Sequence, residues 1–203
     1  MDNLIAFYKH RVELHAGVLG QVKRQLAISS TIRLIVFVLA ASFTYLFFGD
    51  TKLVLGTIIV AIGLFLYLVS KHTDLQYKRD KLLALIKINE TEIKVLERNF
   101  HHLPDGSQYK DPNHFFAQDI DLFGKGSYYQ YSNRTALVQG SDMLVEMLLA
   151  NDLENIAGKQ KAVEELSKLP DWRQEFSAIA TLVKTDTTTK TIVSWLAGYK
   201  AYV

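Results

Sequence analysis

The sequence predicts an all-α protein: a transmembrane helical hairpin on an antiparallel coiled-coil stalk, followed by a small helical domain. Three observations carry this. Residues 32–48 and 53–69 are apolar almost throughout and are separated only by Gly49-Asp50-Thr51-Lys52. Seam residues recur at alternating three- and four-residue steps on both sides of those runs. The chain holds only 3 prolines, which leaves room for long unbroken helices.

The helix from the first residues into the first apolar run has its seam at Ile5, Tyr8, Val12, His15, Leu19, Val22 and Leu26. A bilayer's apolar core, about 30 Å thick, asks for about 20 residues, and both runs sit near the lower limit of about 17. Ser29, Ser30 and Thr31 lengthen the first run, since their hydroxyls bond back to the helix, and Arg33 snorkels to the headgroups. The second run holds no charge between Lys52 and Lys71. Small residues at Ala40, Ala41, Gly56, Ala61 and Gly63 suit a close approach of the two helices. A buried hairpin in a soluble protein is the competing reading, but a chain this short has little with which to cover two helices apolar on every face. A signal peptide is not expected, because the first run starts late, has no small-residue cleavage pattern and is followed at once by a second run. Lys23, Arg24 and Arg33 flank one end and Lys71, Lys78, Arg79 and Lys81 the other, with only Lys52 beside Asp50 in the turn. Both termini are therefore expected in the cytoplasm, in a multi-pass inner-membrane protein.

Beyond the second run the seam returns at Leu75, Arg79, Leu82, Ile86, Asn89, Ile93, Leu96 and Phe100. Folding the hairpin at Asp50/Thr51 pairs Ile5 with Leu96, Tyr8 with Ile93, Val12 with Asn89, His15 with Ile86, Leu19 with Leu82, Val22 with Arg79 and Leu26 with Leu75. Residues 1–100 then form one α-hairpin whose stalk, at about 1.5 Å per residue, is about 40 Å long. Arg79 and Asn89 are candidate register-fixing positions. His15 is either a pH-sensitive or ligand position or a packed residue with one partner, the last being the simpler reading.

Composition bounds the rest. At 203 residues with 49% hydrophobic content, the chain holds one membrane segment and one modest domain. With no cysteine it has neither disulfides nor thiolate metal sites, which agrees with a cytoplasmic location. A net charge of +2 gives none of the strongly basic character of a typical nucleic-acid binder.

Pro104-Asp105-Gly106 and Asp111-Pro112 place a linker at residues 101–113, and a helical domain over 114–203. His101, His102 and His114 lack metal-ligand spacing and read as solvated loop residues. In Gly124-Lys125-Gly126-Ser127 a phosphate-binding loop fails, because Asp119 and Gly126 stand where a glycine and a Ser or Thr are needed. Asp119 and Asp121 read as helix-bordering residues. Tyr128, Tyr129 and Tyr131, with no basic cluster beyond Lys125 and Arg134, read as core. Further on, Ser141 is expected to cap a helix through Ala150, and Asn151 or Asp152 one through Leu169 that Pro170 stops. Asp171 then opens a helix with Gln174 in capping-box position. A polar break follows at 185–191, then an aromatic-rich end at Ile192, Val193, Trp195, Leu196, Tyr199 and Tyr202.

The stretch DIDLFGKGSYYQYSNRT, with Asp121, Leu122, Phe123, Gly124, Ser127, Asn133, Arg134 and Thr135, resembles the start of the core domain of the MutS family of DNA mismatch-repair ATPases. The order continues in Ala136-Leu137-Val138-Gln139-Gly140, Leu148-Leu149, and Ile156, Gln160, Ala162, Val163 and Leu166, with Lys159 where the family has arginine. The likeness covers residues 116–169. It implies a helical core, incomplete within 114–203 as the family counts it, that acts as a lever or scaffold between ATP state and a DNA clamp. No Phe-x-Glu mismatch-reading motif and no phosphate-binding loop occurs. The expectation is the non-catalytic N-terminal portion of a membrane-tethered MutS-related protein, itself without cofactor. ATP and magnesium are implied only for an ATPase domain beyond these residues, and DNA through such domains; a homodimer is a further partner left open. The alternative is a membrane-anchored coiled-coil scaffold that tethers a cytoplasmic partner, with no DNA or nucleotide role.

Overall fold

The computed structural model describes residues 2–150, 154–183, 194, 195, 197 and 198. The expected cap at Asn151 or Asp152, the polar break at 185–191 and, Trp195 apart, the aromatic-rich end lie outside them. Among the described residues every regular element is helical. Helix α1 runs unbroken over Asp2–Leu46 and α2 over Thr51–Leu96. The reversal between them is set by Asp50, whose carboxylate accepts from the Lys52 and Leu53 amides at 3.0 and 3.2 Å and so occupies two of the first amides of α2 that have no helical partner.

The two helices pack side by side, and the residues that face inward keep the alternating spacing. Toward the open end, Leu19, Val22, Leu26 and Leu82 form a buried cluster with Val18, Leu75 and Ile86 against it. Each such aliphatic side chain contributes about 1.5–3 kcal/mol by leaving water. The steps continue through the apolar end, where Arg33, Val36, Ala40 and Thr44 on α1 and Val54, Thr57, Ala61 and Leu68 on α2 are half-buried between exposed neighbours. Here the surroundings change. Of the most apolar window of α1 only 6% is buried, and of that in α2 0%, so the chain itself does not cover these side chains. Both helices are long and apolar enough to cross a membrane. The Thr31 hydroxyl bonds back to the Ala27 carbonyl at 3.1 Å, while the Arg33 guanidinium donates to the Ser30 hydroxyl at 3.2 Å.

The role expected of the small residues needs correction. A methyl group added at Gly56 or Gly63 would meet nothing within 4 Å, so neither glycine is required by the approach of the partner helix. Both are exposed, off the facing stripe, and the small residues on that stripe are Ala40 and Ala61.

Residues 101–113, expected as a linker, are built into the head. The Gly124 amide donates to the Asp105 carbonyl at 2.8 Å, and Tyr109, at the end of a short 3-10 turn at Ser107–Tyr109, packs on a core of Ala117, Leu122, Phe123, Tyr129 and Val145. Gly106, at φ 70, lies so close to the Tyr129 ring that a methyl group there would come within 2.7 Å of it. Only glycine accommodates both the backbone and the ring. Helix α3 covers Tyr128–Ser132 and α4 covers Val138–Leu149. The α4 helix starts at Val138, ahead of the expected Ser141 cap, and the Ser141 hydroxyl lies inside it, hydrogen-bonded with the Thr135 hydroxyl at 2.6 Å.

Helix α5 covers Ile156–Ser167 and α6 covers Pro170–Leu182. Pro170 opens α6 instead of stopping α5, since at the first turn its missing N–H removes no helical bond. Helix α6 lies against α2, and α5 leans on α6. The region 114–183 is thus split: α3, α4 and the loops before them share one core, and α6 belongs to the side of the hairpin.

Candidate functional site

The candidate site is the junction where the head meets the open end of the hairpin, and it is organised by a buried amide. Asn89 is 0% exposed on the seam of α2. Its Nδ2 donates to the Leu85 carbonyl at 2.8 Å and to Gln174 Oε1 at 3.0 Å, and its Oδ1 accepts from Gln174 Nε2 at 3.0 Å. A reciprocal pair of this kind satisfies both amides in a place water does not reach. Gln174 was expected to close a capping box; it lies instead on the inward face of α6, where Arg11 Nε also donates to its Oε1 at 3.0 Å. Arg11 then reaches Asp171 at 2.5 Å, and Lys81 pairs with Glu175. Asp171, Gln174, Glu175 and the buried Ala178 follow an i, i+3, i+4, i+7 pattern along α6, so one stripe of that helix is written for this surface.

A second tie comes from the motif. The Arg134 Nε donates to Glu92 Oε1 at 2.6 Å, and its Nη1 donates to the Tyr131 and Asn133 carbonyls at 3.0 and 2.7 Å. Phe100 meets Tyr131 edge-on beside it, with ring centroids 5.3 Å apart.

The other residues of the motif build the loop that presents Arg134. Leu122 and Phe123 are buried. Asp121 is exposed, at φ 48, and its carbonyl accepts from the Tyr128 amide at 3.2 Å. Gly124, at φ 107, gives its amide to Asp105. Ser127 caps α3 by accepting from the Gln130 amide at 3.1 Å. Asn133 donates to the Tyr129 hydroxyl at 3.0 Å and accepts from the Thr135 amide and hydroxyl at 2.9 and 2.7 Å. Of the three tyrosines expected in the core only Tyr129 is buried, while Tyr128 and Tyr131 are exposed.

Two central residues carried no sequence signal strong enough to be singled out for this role. Gln130, 2% exposed, accepts from the Gly126 amide and donates to the His101 and Leu103 carbonyls. Gln174 is the other; its signal was the spacing of polar residues along one face of α6. Gln160 sits exposed on α5, away from the junction contacts. Arg79 is half-buried and pairs with its neighbour Asp80 at 2.7 Å. His15 is half-buried, and its Nε2 is enclosed without a hydrogen-bond partner.

The electrostatics follow from this packing. Burial pushes the Tyr8 hydroxyl up from its ordinary pKa and Glu92 adds to the rise, against Arg173, Arg134 and Arg11. Burial and then Arg11 lower the His15 pKa, against Asp171 and Glu175. His101 and His102 are exposed, and His114 Nδ1 accepts from the Ala117 amide at 3.3 Å. Among the described residues no three His, Cys, Asp or Glu side chains are grouped to hold a metal ion. The junction thus combines buried amides with ion pairs at its rim.

No family model, no curated protein and no solved structure matches this chain.

Proposed function

We propose that this chain is the membrane anchor and lever segment of a MutS-related, ATP-dependent DNA-binding protein. On this reading the hairpin crosses the inner membrane twice with both termini in the cytoplasm, and its open end is an antiparallel coiled-coil stalk. The observation that carries the lever role is the Arg134–Glu92 pair, which fastens the segment bearing the resemblance to α2. The buried Asn89–Gln174 pair adds a second, independent attachment. A displacement of the head is thereby passed to the stalk, and the chain contributes geometry, with no catalytic step of its own. The lysines and arginines beside the open ends of both apolar runs support the orientation.

A tethering scaffold without DNA or nucleotide chemistry is the second reading. It is favoured by the exposed apolar row Trp172, Phe176, Ile179 and Val183 on α6. One measurement separates the two: the mass, in the source membranes, of the native polypeptide that yields peptides from residues 115–125. The lever reading expects a product far heavier than 23.1 kDa with Gly-Lys-Ser or Gly-Lys-Thr peptides. A product of that smaller mass overturns it in favour of the tether.

A further inference from the structure

Between α1, α2, the turn after α3, and α6 lies a cleft of about 120 Å³ whose walls include Tyr8, Thr91, Glu92, Arg134, Arg173 and Ser177. Its hydrogen-bonding inventory is weighted toward donors. The Arg173 guanidinium and the hydroxyls of Tyr8 and Ser177 form no hydrogen bond among the described residues, although Arg173 and Arg134 both lie near enough to act on the Tyr8 hydroxyl. Arg134 uses its Nε and Nη1, which leaves Nη2 for a ligand. Of the acceptors, Glu92 Oε1 is bonded by Arg134 and the Gln174 oxygen by Asn89 and Arg11, which leaves Glu92 Oε2 as the one carboxylate oxygen of the cleft without a donor among the described residues. The Thr91 hydroxyl is spent on the Lys87 carbonyl at 2.8 Å. Two guanidiniums face one carboxylate, so the cleft carries a net positive charge and unengaged donors on separate walls.

That arrangement fits a tetrahedral oxyanion better than any cation or apolar group. The Arg173 fork matches phosphate oxygens in pairs, Arg134 Nη2 adds a single donor, and donors on different walls suit a group whose oxygens diverge in three dimensions. The cleft has room for one phosphate group. Lipid phosphate is out of reach on the membrane placement proposed above, because α2 from Val69 to Glu92 measures roughly 35 Å at about 1.5 Å per residue.

We propose that this cleft binds the phosphate group of a soluble molecule through Arg173 and Arg134, with the Tyr8 and Ser177 hydroxyls completing its shell, and that the bound group ties α6 to the hairpin. The exclusion of lipid rests on the proposed membrane placement; the donor set does not.

The test is a titration of the full chain, in nanodiscs of neutral lipid, with inorganic phosphate, reading hydrogen-exchange protection of the α6 amides. Saturable added protection is expected. Arg173→Gln, an exposed position that leaves the fold intact, weakens it at least tenfold; Ser177→Ala weakens it less, and Lys168→Gln on α5 leaves it unchanged. Absence of a saturable response, or an Arg173→Gln chain that responds like the wild type, overturns the proposal. An equal response to succinate overturns the preference for phosphate. Protection induced by phosphatidic acid in the discs, with no phosphate added, overturns the soluble source and the membrane placement together, while leaving the donor set standing.

Discussion

The two ends of the hairpin are made by the same two helices with the same seam spacing, yet they are built for different surroundings. At the open end the apolar stripe is covered, as Leu19, Val22 and Leu82 show, while the outer faces carry charged residues with scattered apolar ones such as Leu14 among them. At the closed end the stripe persists but the outer faces are apolar too: Leu39 is 63% exposed, Val60 70% and Leu66 63%. Spacing therefore encodes which helix packs on which, and the outer faces encode what lies outside. The sharpest way to break this comparison is one substitution made at both ends. Val60→Lys, on the proposed placement in lipid, costs about 2.5–3.5 kcal/mol of insertion free energy. Leu14→Lys, also exposed but at the open end, changes stability by less than about 0.5 kcal/mol. The fraction of chain recovered in the membrane reads the difference; equal tolerance at both positions would place the closed end in water.

The next effect concerns how the open end is held. Gln174→Ala leaves the Asn89 amide buried with the Leu85 carbonyl as its remaining partner, and costs about 1–3 kcal/mol for the unpaired group. Asn89→Leu combined with Gln174→Leu removes both partners and recovers much of that loss. A double-mutant cycle read by hydrogen exchange of α6 isolates the coupling. Additive losses would mean that the ion pairs at the rim, Arg11 with Asp171 and Lys81 with Glu175, hold α6 by themselves.

The same contrast separates what was legible in the sequence from what was not. Helix type and hairpin were readable because hydrophobic spacing is a local signal, repeated many times along α1 and α2. Leu19 with Leu82 and Leu26 with Leu75 sit in one cluster, as folding about Asp50/Thr51 requires. The junction was not readable, because it rests on single polar contacts between distant residues. Asn89 and Gln174 lie 85 positions apart, and a glutamine three residues after Asp171 carries the same local signature as a capping box. Pro170 has two local meanings, helix stop and helix start, and the packing of α6 on α2 selects the second. Residues 101–113 have the composition of a linker, but their carbonyls are the acceptors that Gly124 and Gln130 need. The glycines of the second apolar run met a rule about close packing that only the position of the seam could decide.

The smallest expected effect lies at the same junction. His15 is enclosed at Nε2, with Arg11 nearby, and its pKa in the folded chain is lowered first by burial and then by that guanidinium. Asp171 and Glu175, facing it from α6, oppose the shift without cancelling it. A lowered histidine pKa means the fold prefers the neutral ring. Above the unfolded value of about 6.5 both states are neutral and the site contributes fully. As the pH falls below that value, the opened chain takes up the proton first, and the α6 contact weakens until the folded pKa is passed. Hydrogen exchange of α6 should accordingly quicken between neutral pH and about pH 5, relative to the intrinsic exchange rate, with part of the change removed by His15→Gln. Asp171→Asn should enlarge it, because an anion that favours the charged ring is gone. An α6 that tightens on acidification would reverse the assigned sign and make Asp171 and Glu175, instead of burial and Arg11, the stronger influence on His15.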